Sequence, residues 1–170
     1  IIFMTDQDLD GSHIKGLCLN LFHTQWEMLI RLGLIGYMNT PIIKATKGQN
    51  IMSFYNDGEY NVWKQTNDPS KWEIKYFKGL GTSEAKDFKE YFKTKKFIMF
   101  THDEKTDDRM DMVFNKKRPK DRKEWIDNYK RGIFMDTSML TVTVPDFIDK
   151  ELIHFSTSDN DRSIPNIMDG

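Results

Sequence analysis

The sequence is poor in cysteine, has no long hydrophobic run and carries almost no net charge. A single cysteine, Cys18, among 170 residues excludes an internal disulfide, argues against a thiolate metal site and is typical of a reducing compartment. No apolar run approaches the roughly 18 residues that a membrane-spanning helix needs. With 25 Lys and Arg against 26 Asp and Glu, global charge does not identify a partner. Any electrostatic argument must therefore be local.

What is present is the composition of an ordinary folded protein. Hydrophobic residues make up 38% of the chain, aromatic residues 13% and charged residues 30%. This supplies enough apolar mass for one packed core or slightly more, and it excludes a disordered tail or a coiled coil. The first residue is Ile, inside an apolar run, and the last residues stop at a turn. We therefore expect the chain to be a piece of a longer polypeptide.

An acidic cluster follows directly on the first apolar run. Residues 1–5 have the pattern of a short, fully buried strand, and Asp6, Asp8 and Asp10 stand at alternate positions after it. Ser12 then suits the N-cap of a long helix, whose apolar residues recur at three- and four-residue spacing until a glycine ends it. The sequence predicts a strand, an acidic loop and a helix.

Three carboxylates in so small a loop repel one another. Each close pair costs about 1 kcal/mol even in water, and a bound cation or a basic partner would relieve the repulsion. Hard oxygen ligands suit Mg²⁺ or Ca²⁺, and two carboxylates on one Mg²⁺ are typical of phosphoryl-transfer sites. We therefore predict a Mg²⁺ site at Asp6, Asp8 and Asp10, at the carboxyl end of a strand, where α/β sheets bind ligands.

An EF-hand and a simple helix cap are the alternatives to this metal site. The letters DQDLDG at residues 6–11 match the opening of an EF-hand loop, but the twelfth position, which should be a bidentate Glu, is Leu17. An EF-hand also requires a helix where this chain has a strand. The aspartates could instead only cap the helix, a contribution of roughly 0.3–1 kcal/mol. Three acids in five positions exceed what capping needs.

The rest of the chain alternates short strands and helices. Strands are predicted over 37–46, 51–55, 72–77 and 139–144, and helices over 59–66, from 83 onwards, over 103–115 and 121–131, and from 145 onwards. The first of these strands contains Pro41 and is at best an edge or irregular strand. Pro119 suits the boundary between two helices and Pro145 the start of the last one. The four tryptophans fall on apolar faces and are predicted to lie in the core.

Positive charge is concentrated in two segments. Residues 113–132 hold eight Lys and Arg against three acids, and residues 71–100 hold eight Lys against four acids. Such concentrations suit contacts with the phosphates of a DNA duplex. For an isolated run of lysines, a solvated helix face is the plain alternative.

Smaller polar features could also meet a phosphate. The loop of residues 78–83, KGLGTS, has glycines that allow close backbone approach and hydroxyls at a helix start, although it lacks the ending of a Walker A loop and a plain turn accounts for it as well. His13 lies one helical turn from the carboxylates and could contact a phosphate or pair with an aspartate. We count Lys78 and His13 as predicted DNA contacts. The remaining histidines, His23, His102 and His154, show no metal-ligand spacing.

Four sequence blocks, in order, resemble the type IIA DNA topoisomerases, and in particular their eukaryotic and large-DNA-virus branch. The blocks are TDQDLDGSHIKG at 5–16, KYFKGLGTS at 75–83, DRKEW at 121–125 and DFIDKELIHFSTSDNDRSIPNIMDG at 146–170. The first resembles the Asp-x-Asp-x-Asp-Gly segment of the Toprim domain. Each block alone is moderately specific, but the ordered set spans nearly the whole chain.

The resemblance implies a fold and an activity. The fold would be α/β: part of a Toprim core with a Rossmann-like parallel sheet at 1–46, an α+β extension at 47–140, and the start of an α-rich winged-helix DNA-cleavage domain at 141–170. The activity would be cleavage of both strands of one duplex, passage of another and resealing, with ATP bound on a different domain. The family implies a homodimer in the nucleus, or at a viral replication site, and no membrane.

The resemblance also assigns residues. Asp6 and Asp8 would ligate Mg²⁺ with Asp10 adjoining the ions, and Lys116, Lys117 and Arg162 would contact DNA. The general-base glutamate belongs to an upstream strand in the family and the nucleophilic tyrosine lies downstream, so the isolated chain is expected to be inactive. A Toprim-type nuclease or primase, or a non-enzymatic nucleic-acid-binding module, are the alternative functions.

Overall fold

The computed structural model describes residues 1–77, 79–94 and 96–163, and these residues form two β-sheets flanked by helices. The strands are β1 Ile2–Phe3, β2 Gly36–Met38, β3 Ile43–Lys47, β4 Asn50–Phe54, β5 Glu73–Tyr76, β6 Phe97–Thr101 and β7 Thr141–Thr143. The α-helices are α1 Leu9–Arg31, α2 Asp57–Thr66, α3 Ala85–Thr94, α4 Thr106–Phe114, α5 Pro119–Asp127, α6 Val144–Phe147 and α7 Ile153–Ser163. A π-helical turn, Ile148–Leu152, joins α6 to α7.

The larger sheet has four strands in the order β1-β2-β6-β7. The β1–β2 and β6–β7 pairs are parallel, whereas β2 and β6 are antiparallel. Tyr37, Ile98 and Phe100 of the two central strands are buried, and they belong to one core with Leu19 of α1 and Phe147 of α6. This mixed sheet with helices packed on it confirms the predicted α/β class.

The smaller sheet is antiparallel, with the order β4-β3-β5. The β3–β4 hairpin turns where Lys47 pairs with Asn50, at the predicted turn. Its core is separate from the first: the rings of Phe54, Tyr60 and Trp63 lie with centroids 5.2 to 5.7 Å apart, joining β4 to α2. The described residues thus form two hydrophobic cores, one for each sheet.

Helix α1 begins earlier than predicted and is bent. Its N-cap is Asp8, so the prediction of Ser12 as N-cap is wrong. The helix is interrupted at Trp26, where φ is −146° and ψ is 52°, and it ends before Gly33, whose φ of 65° is the left-handed conformation that glycine tolerates. Trp26 is 55% exposed, so its predicted core position is also wrong. None of the helices in the described ranges combines the length and the apolar character that crossing a bilayer needs.

Three strand predictions need correction. The first strand is not fully buried: Ile2 and Phe3 are partly exposed, because β1 pairs only with β2 among the described strands. The stretch predicted as one irregular strand, 37–46, contains two strands, β2 and β3, which belong to different sheets. Strand β6 was not predicted, although it lies between β2 and β7 in the larger sheet.

Candidate functional site

The acidic loop lies between β1 and α1 and is open to solvent. Asp6, Asp8 and Asp10 are all exposed. The Asp8 backbone is extended, with φ −123° and ψ −177°, and its carboxylate Oδ1 accepts a hydrogen bond from the Gly11 N–H at 2.7 Å. Asp8 therefore caps α1, a role that stabilises a helix by about 1 kcal/mol.

The glycine loop packs directly on the first aspartate. The N–H of Leu80 donates a hydrogen bond to Asp6 Oδ1 at 2.6 Å. A Cβ atom at Gly79 would lie 2.9 Å from the Asp6 carboxylate, so any larger residue there would displace it. Two sequence motifs that lie 74 residues apart therefore meet in one site. Lys78, the predicted DNA contact beside them, lies outside the described residues.

Gly11 packs against the backbone of the same aspartate, Asp6. A Cβ atom at Gly11 would lie 1.9 Å from the backbone carbonyl oxygen of Asp6, a distance that side chains do not tolerate. Only glycine therefore allows the acidic loop to close onto the first turn of α1. Asp6 is held by its backbone against Gly11 and by its side chain against Leu80.

The oxygen ligands of the acidic loop fit Mg²⁺. Asp6 and Asp8 each use Oδ1 for a backbone N–H, and within the described ranges the second carboxylate oxygen of each accepts no hydrogen bond. Exposed carboxylate oxygens are the ligands that Mg²⁺ prefers, with water or phosphate completing its shell. The three aspartates do not converge to within 4.8 Å of one another, whereas another group of described side chains does. The three carboxylates of the loop are therefore not close enough together to coordinate one ion at the same time.

Under the acidic loop lies a buried ion pair that the sequence did not predict. Lys15 is 1% exposed, and its Nζ donates a hydrogen bond to Glu151 Oε1, which also accepts from Ser12 Oγ at 2.8 Å. The ammonium group lies 4.3 Å from the centroid of the Tyr37 ring. Burial raises the pKa of the Tyr37 phenol, and the Glu151 charge adds to the effect. Periodicity along α1 places Ser12 and Lys15 on one face, but only the fold supplies the partner acid.

His13 faces a ring and not the aspartates. Its imidazole stacks on Phe155 with centroids 4.1 Å apart and an interplanar angle of 10°. In the described parts of the chain it makes no hydrogen bond to an aspartate. The DNA contact assigned to His13 stays a prediction.

The basic run between α4 and α5 divides into two kinds of residue. Arg118 bonds the carboxylates of Asp108 and Asp111 at 2.8 and 3.2 Å, and Arg122 donates to the carbonyl oxygen of Asn115 at 2.6 Å. These arginines are structural. The lysines of the run are exposed and form no ion pair among the described residues: Lys116, Lys117, Lys120 and Lys123. The positive charge that residues 113–132 offer to a partner is therefore smaller than the sequence count, and most of it comes from lysine.

Arg162 lies at the end of α7. Its side chain is 60% exposed and pairs with Asp159 at 3.5 Å. It lines a cleft of about 580 Å³ together with Tyr129 and His154. A second cleft, of about 440 Å³, begins at Asp8 and runs toward the smaller sheet. Both clefts are lined by Leu9, between Asp8 and Asp10, so Arg162 shares a cleft with the start of α1, the helix that also carries His13.

Comparison with known proteins gives one matching family and several similar proteins. A family model described as the C-terminal associated domain of TOPRIM matches residues 38–160. The chain is 44% identical over 174 residues to DNA topoisomerase 2 of Plasmodium falciparum and 44% identical over 186 residues to human DNA topoisomerase 2-beta. Both matches cover the whole of this chain, but only 12% and 11% of those proteins.

A solved structure is also similar to this chain over nearly its whole length. The crystal structure of the DNA-binding, cleavage and re-ligation domain of Plasmodium falciparum topoisomerase II superposes with a TM-score of 0.90 and 45% sequence identity, covering 99% of this chain and 24% of that one. These relatives favour the topoisomerase prediction over a Toprim-type nuclease or primase. The chain belongs to the family of C-terminal domains associated with Toprim, and its sequence is similar to those of DNA topoisomerases 2.

Proposed function

We propose that this chain is the part of a type II DNA topoisomerase that supplies magnesium ligands and DNA contacts to the cleavage of duplex DNA. Asp6 and Asp8 are the residues that would hold the ion. Mg²⁺ would supply positive charge to stabilise a scissile phosphate and the departing ribose oxygen. Asp10, in the first turn of α1, would add negative charge beside the ion.

The observation that carries this proposal is the contact between Asp6 and the glycine loop. A loop whose only task was capping α1 would need Asp8 alone, yet Asp6 is aligned by the Leu80 N–H and by the absence of a side chain at Gly79. A carboxylate held on both sides is preorganised for an ion. Asp6 and Asp8 are both exposed, so a phosphate can approach this site from solvent.

Exposed lysines would bind the duplex on either side of the cleavage point. Lys116 and Lys117 are solvated at the turn before α5, and Arg162 is exposed at the end of α7. Contacts of this kind bind phosphates and carry no sequence information. Lys78 and His13 remain predicted contacts of the same type.

The oligomeric state, the ATP site, the localisation and the domain boundaries concern the complete enzyme. In our proposal that enzyme is a homodimer that binds ATP on another domain and acts in the nucleus, or at a viral replication site. Residues 1–46, 47–140 and 141–170 would be Toprim core, Toprim extension and the start of the winged-helix domain. The isolated chain would be inactive, because the general-base glutamate and the nucleophilic tyrosine of the family would lie elsewhere.

A chimeric enzyme tests the proposal. The matching segment of Plasmodium falciparum DNA topoisomerase 2 is replaced by this chain, and Mg²⁺-dependent cleavage and relaxation of supercoiled DNA are measured. The chimera should be active, and Asp8→Asn should lower its cleavage by roughly a hundredfold or more. Asp127→Asn, an exposed acid at the end of α5, is the matched control and should leave cleavage unchanged.

Two outcomes would contradict the proposal. One is a folded chimera that binds DNA but never cleaves it, which would favour a non-enzymatic nucleic-acid-binding module. The other is full cleavage by the Asp8→Asn chimera. Cleavage by the isolated chain alone would refute its predicted inactivity.

A further inference from the structure

A second group of metal-ligand side chains lies on the far part of α1, away from the acidic loop. His23 and Glu27 of α1 approach Asp107 of α4, and the ligand atoms of these three all lie within 4.8 Å of one another. His102, directly after β6, joins the group: its Nε2 is 3.1 Å from Asp107 Oδ1 and 3.6 Å from Glu27 Oε1. Two imidazoles and two carboxylates from separate elements thus lie around Asp107, with His102 next to the group of three.

The spacing of these ligands is close to that of a tetrahedral metal site. His23 Nε2 and His102 Nε2 lie 2.9 and 3.1 Å from the same oxygen, Asp107 Oδ1. Bonds of about 2.0–2.1 Å to a tetrahedral Zn²⁺ imply ligand-to-ligand distances of roughly 3.3 Å. These two spacings would need to widen by only a few tenths of an ångström to admit an ion.

The surroundings of the group also suit a metal. The two imidazoles are mostly buried, with 19% and 11% of their side chains exposed, whereas Asp107 is 57% exposed and leaves the group open to solvent. Imidazole and carboxylate together are typical ligands of Zn²⁺ and its neighbours in the first transition row.

Arg31 is the group that competes with an ion. Its Nε donates to Glu27 Oε1 at 2.6 Å, and its terminal nitrogens lie 3.4 Å from Asp107 Oδ2 and from His102 Nδ1. The contact with Glu27 is short, but the other two are long and weak. An ion that uses Glu27 Oε1 must therefore displace Arg31 from that oxygen, whereas the contacts of Arg31 with Asp107 and His102 are easily given up.

An ion bound at this group would stabilise the bend in α1. The helix is interrupted at Trp26, between His23 and Glu27. An ion bound by these two residues and by Asp107 would fasten both halves of the bent helix to α4.

We propose that His23, His102 and Asp107, with Glu27, form a binding site for a divalent transition-metal ion of the zinc type, distinct from the magnesium ligands of the acidic loop. The site is structural: it joins α1, α4 and the end of β6. It does not depend on the proposed topoisomerase activity, since none of its residues lies in the acidic or glycine loop.

Titration of the full chain with Co²⁺, followed by visible absorption and by displacement with Zn²⁺, tests this site. One equivalent of Co²⁺ should produce the strong bands of a tetrahedral complex, and Zn²⁺ should remove them. His23→Gln and His102→Gln should each weaken Zn²⁺ binding by roughly tenfold or more. His13→Gln removes an imidazole ten positions earlier on the same helix and should leave binding unchanged.

Arg31 provides a second test, because a metal site and a simple ion-pair network predict different effects when Arg31 is removed. Arg31→Gln removes a positive charge next to the ion and should tighten Zn²⁺ binding by roughly tenfold. Unchanged binding in both His23→Gln and His102→Gln, or weaker binding in Arg31→Gln, would overturn the proposal. Circular dichroism of each variant confirms that the fold is intact, and Asp8→Asn should leave Zn²⁺ binding unaltered while removing Mg²⁺ binding.

Discussion

The segment 5–16 has two faces that differ in how their charges are compensated. The outward face, Asp6, Asp8 and Asp10, is exposed and offers carboxylate oxygens to solvent. The inward face, Ser12, Lys15 and Gly16, is buried against the π-helical turn and Leu152. In the sequence the twelve letters look like one motif. In the structure one half builds the fold and the other half is left available for a ligand.

The two faces show that burial, more than residue type, decides whether a charged side chain stabilises the fold or is available to a ligand. Lys15 is as charged as any lysine of the basic run, yet its charge is used by Glu151 and Ser12 and is not available to DNA. A buried ion of this kind is retained only when a partner and hydrogen bonds compensate its desolvation. Asp6 and Asp8 accept backbone hydrogen bonds, but none of the three outward carboxylates has a cationic partner among the described residues, so they gain most from a bound cation.

The largest effect should come from breaking the inward face. Lys15→Met leaves Glu151 without its cation in a mostly buried position and should lower the free energy of unfolding by about 3 kcal/mol. Urea denaturation followed by circular dichroism measures this loss. The double variant Lys15→Met with Glu151→Leu should recover most of it. A double variant as unstable as the single one would show that packing, and not the ion pair, dominates here.

A substitution at the junction of the two faces should have the next largest effect. Gly11→Ala places a Cβ against the Asp6 carbonyl oxygen, and the backbone must move, at a cost of about 2 kcal/mol. Thermal denaturation gives the change, and calorimetry should show weakened Mg²⁺ binding. Gly81→Ala is the matched control, because a Cβ there has nothing within 4 Å. Equal stabilities of the two variants would contradict the role given to Gly11.

Two substitutions of Asp8 sharpen the contrast by separating capping from metal binding. Asp8→Ala removes the N-cap of α1 and should cost about 1 kcal/mol, whereas Asp8→Asn keeps an oxygen for the Gly11 N–H and should cost much less. Both variants should lose Mg²⁺ binding in a calorimetric titration. If Asp8→Asn bound Mg²⁺ like the unchanged chain, Asp8 would be a cap and not a metal ligand.

The smallest effect on stability is expected for the exposed lysines. Lys116→Ala with Lys117→Ala should change the free energy of unfolding by less than about 0.5 kcal/mol. Their binding to duplex DNA, followed by fluorescence anisotropy, should show a salt dependence reduced by roughly two units of slope. Arg118→Ala is the contrasting variant: it leaves Asp108 and Asp111 without their partner and should destabilise the fold more than it alters the salt slope.

Local patterns predicted most helices of the chain. Helices α2, α3, α4 and α5 appear where periodicity placed them, with α5 starting at Pro119 instead of Asp121. Periodicity, prolines and turn residues act within a few positions, so they are visible in a sequence. The same information could not show that Trp26 interrupts α1 and lies in solvent, because that depends on what the helix packs against.

Features that depend on distant partners could not be predicted. Strand β6 is a five-residue apolar stretch after a run of lysines, and it is stabilised by pairing with β2 and β7. The acidic loop was predicted as a site, but its contact with Leu80 was not, since no local pattern links two motifs so far apart in the chain. His23 and His102 have no metal-ligand spacing in the sequence because the fold, and not one helix, brings them to Asp107.

The hydrogen bond between Asp6 and Leu80 has a consequence for how the chain folds. It closes a loop of 74 residues that includes the whole smaller sheet. Contacts of such long range form slowly, because the chain must lose much of its freedom before they are gained. We therefore expect Asp6 to reach its native orientation only after β3, β4 and β5 have assembled, so that a nascent or partly folded chain would not yet hold an ion there in the native manner.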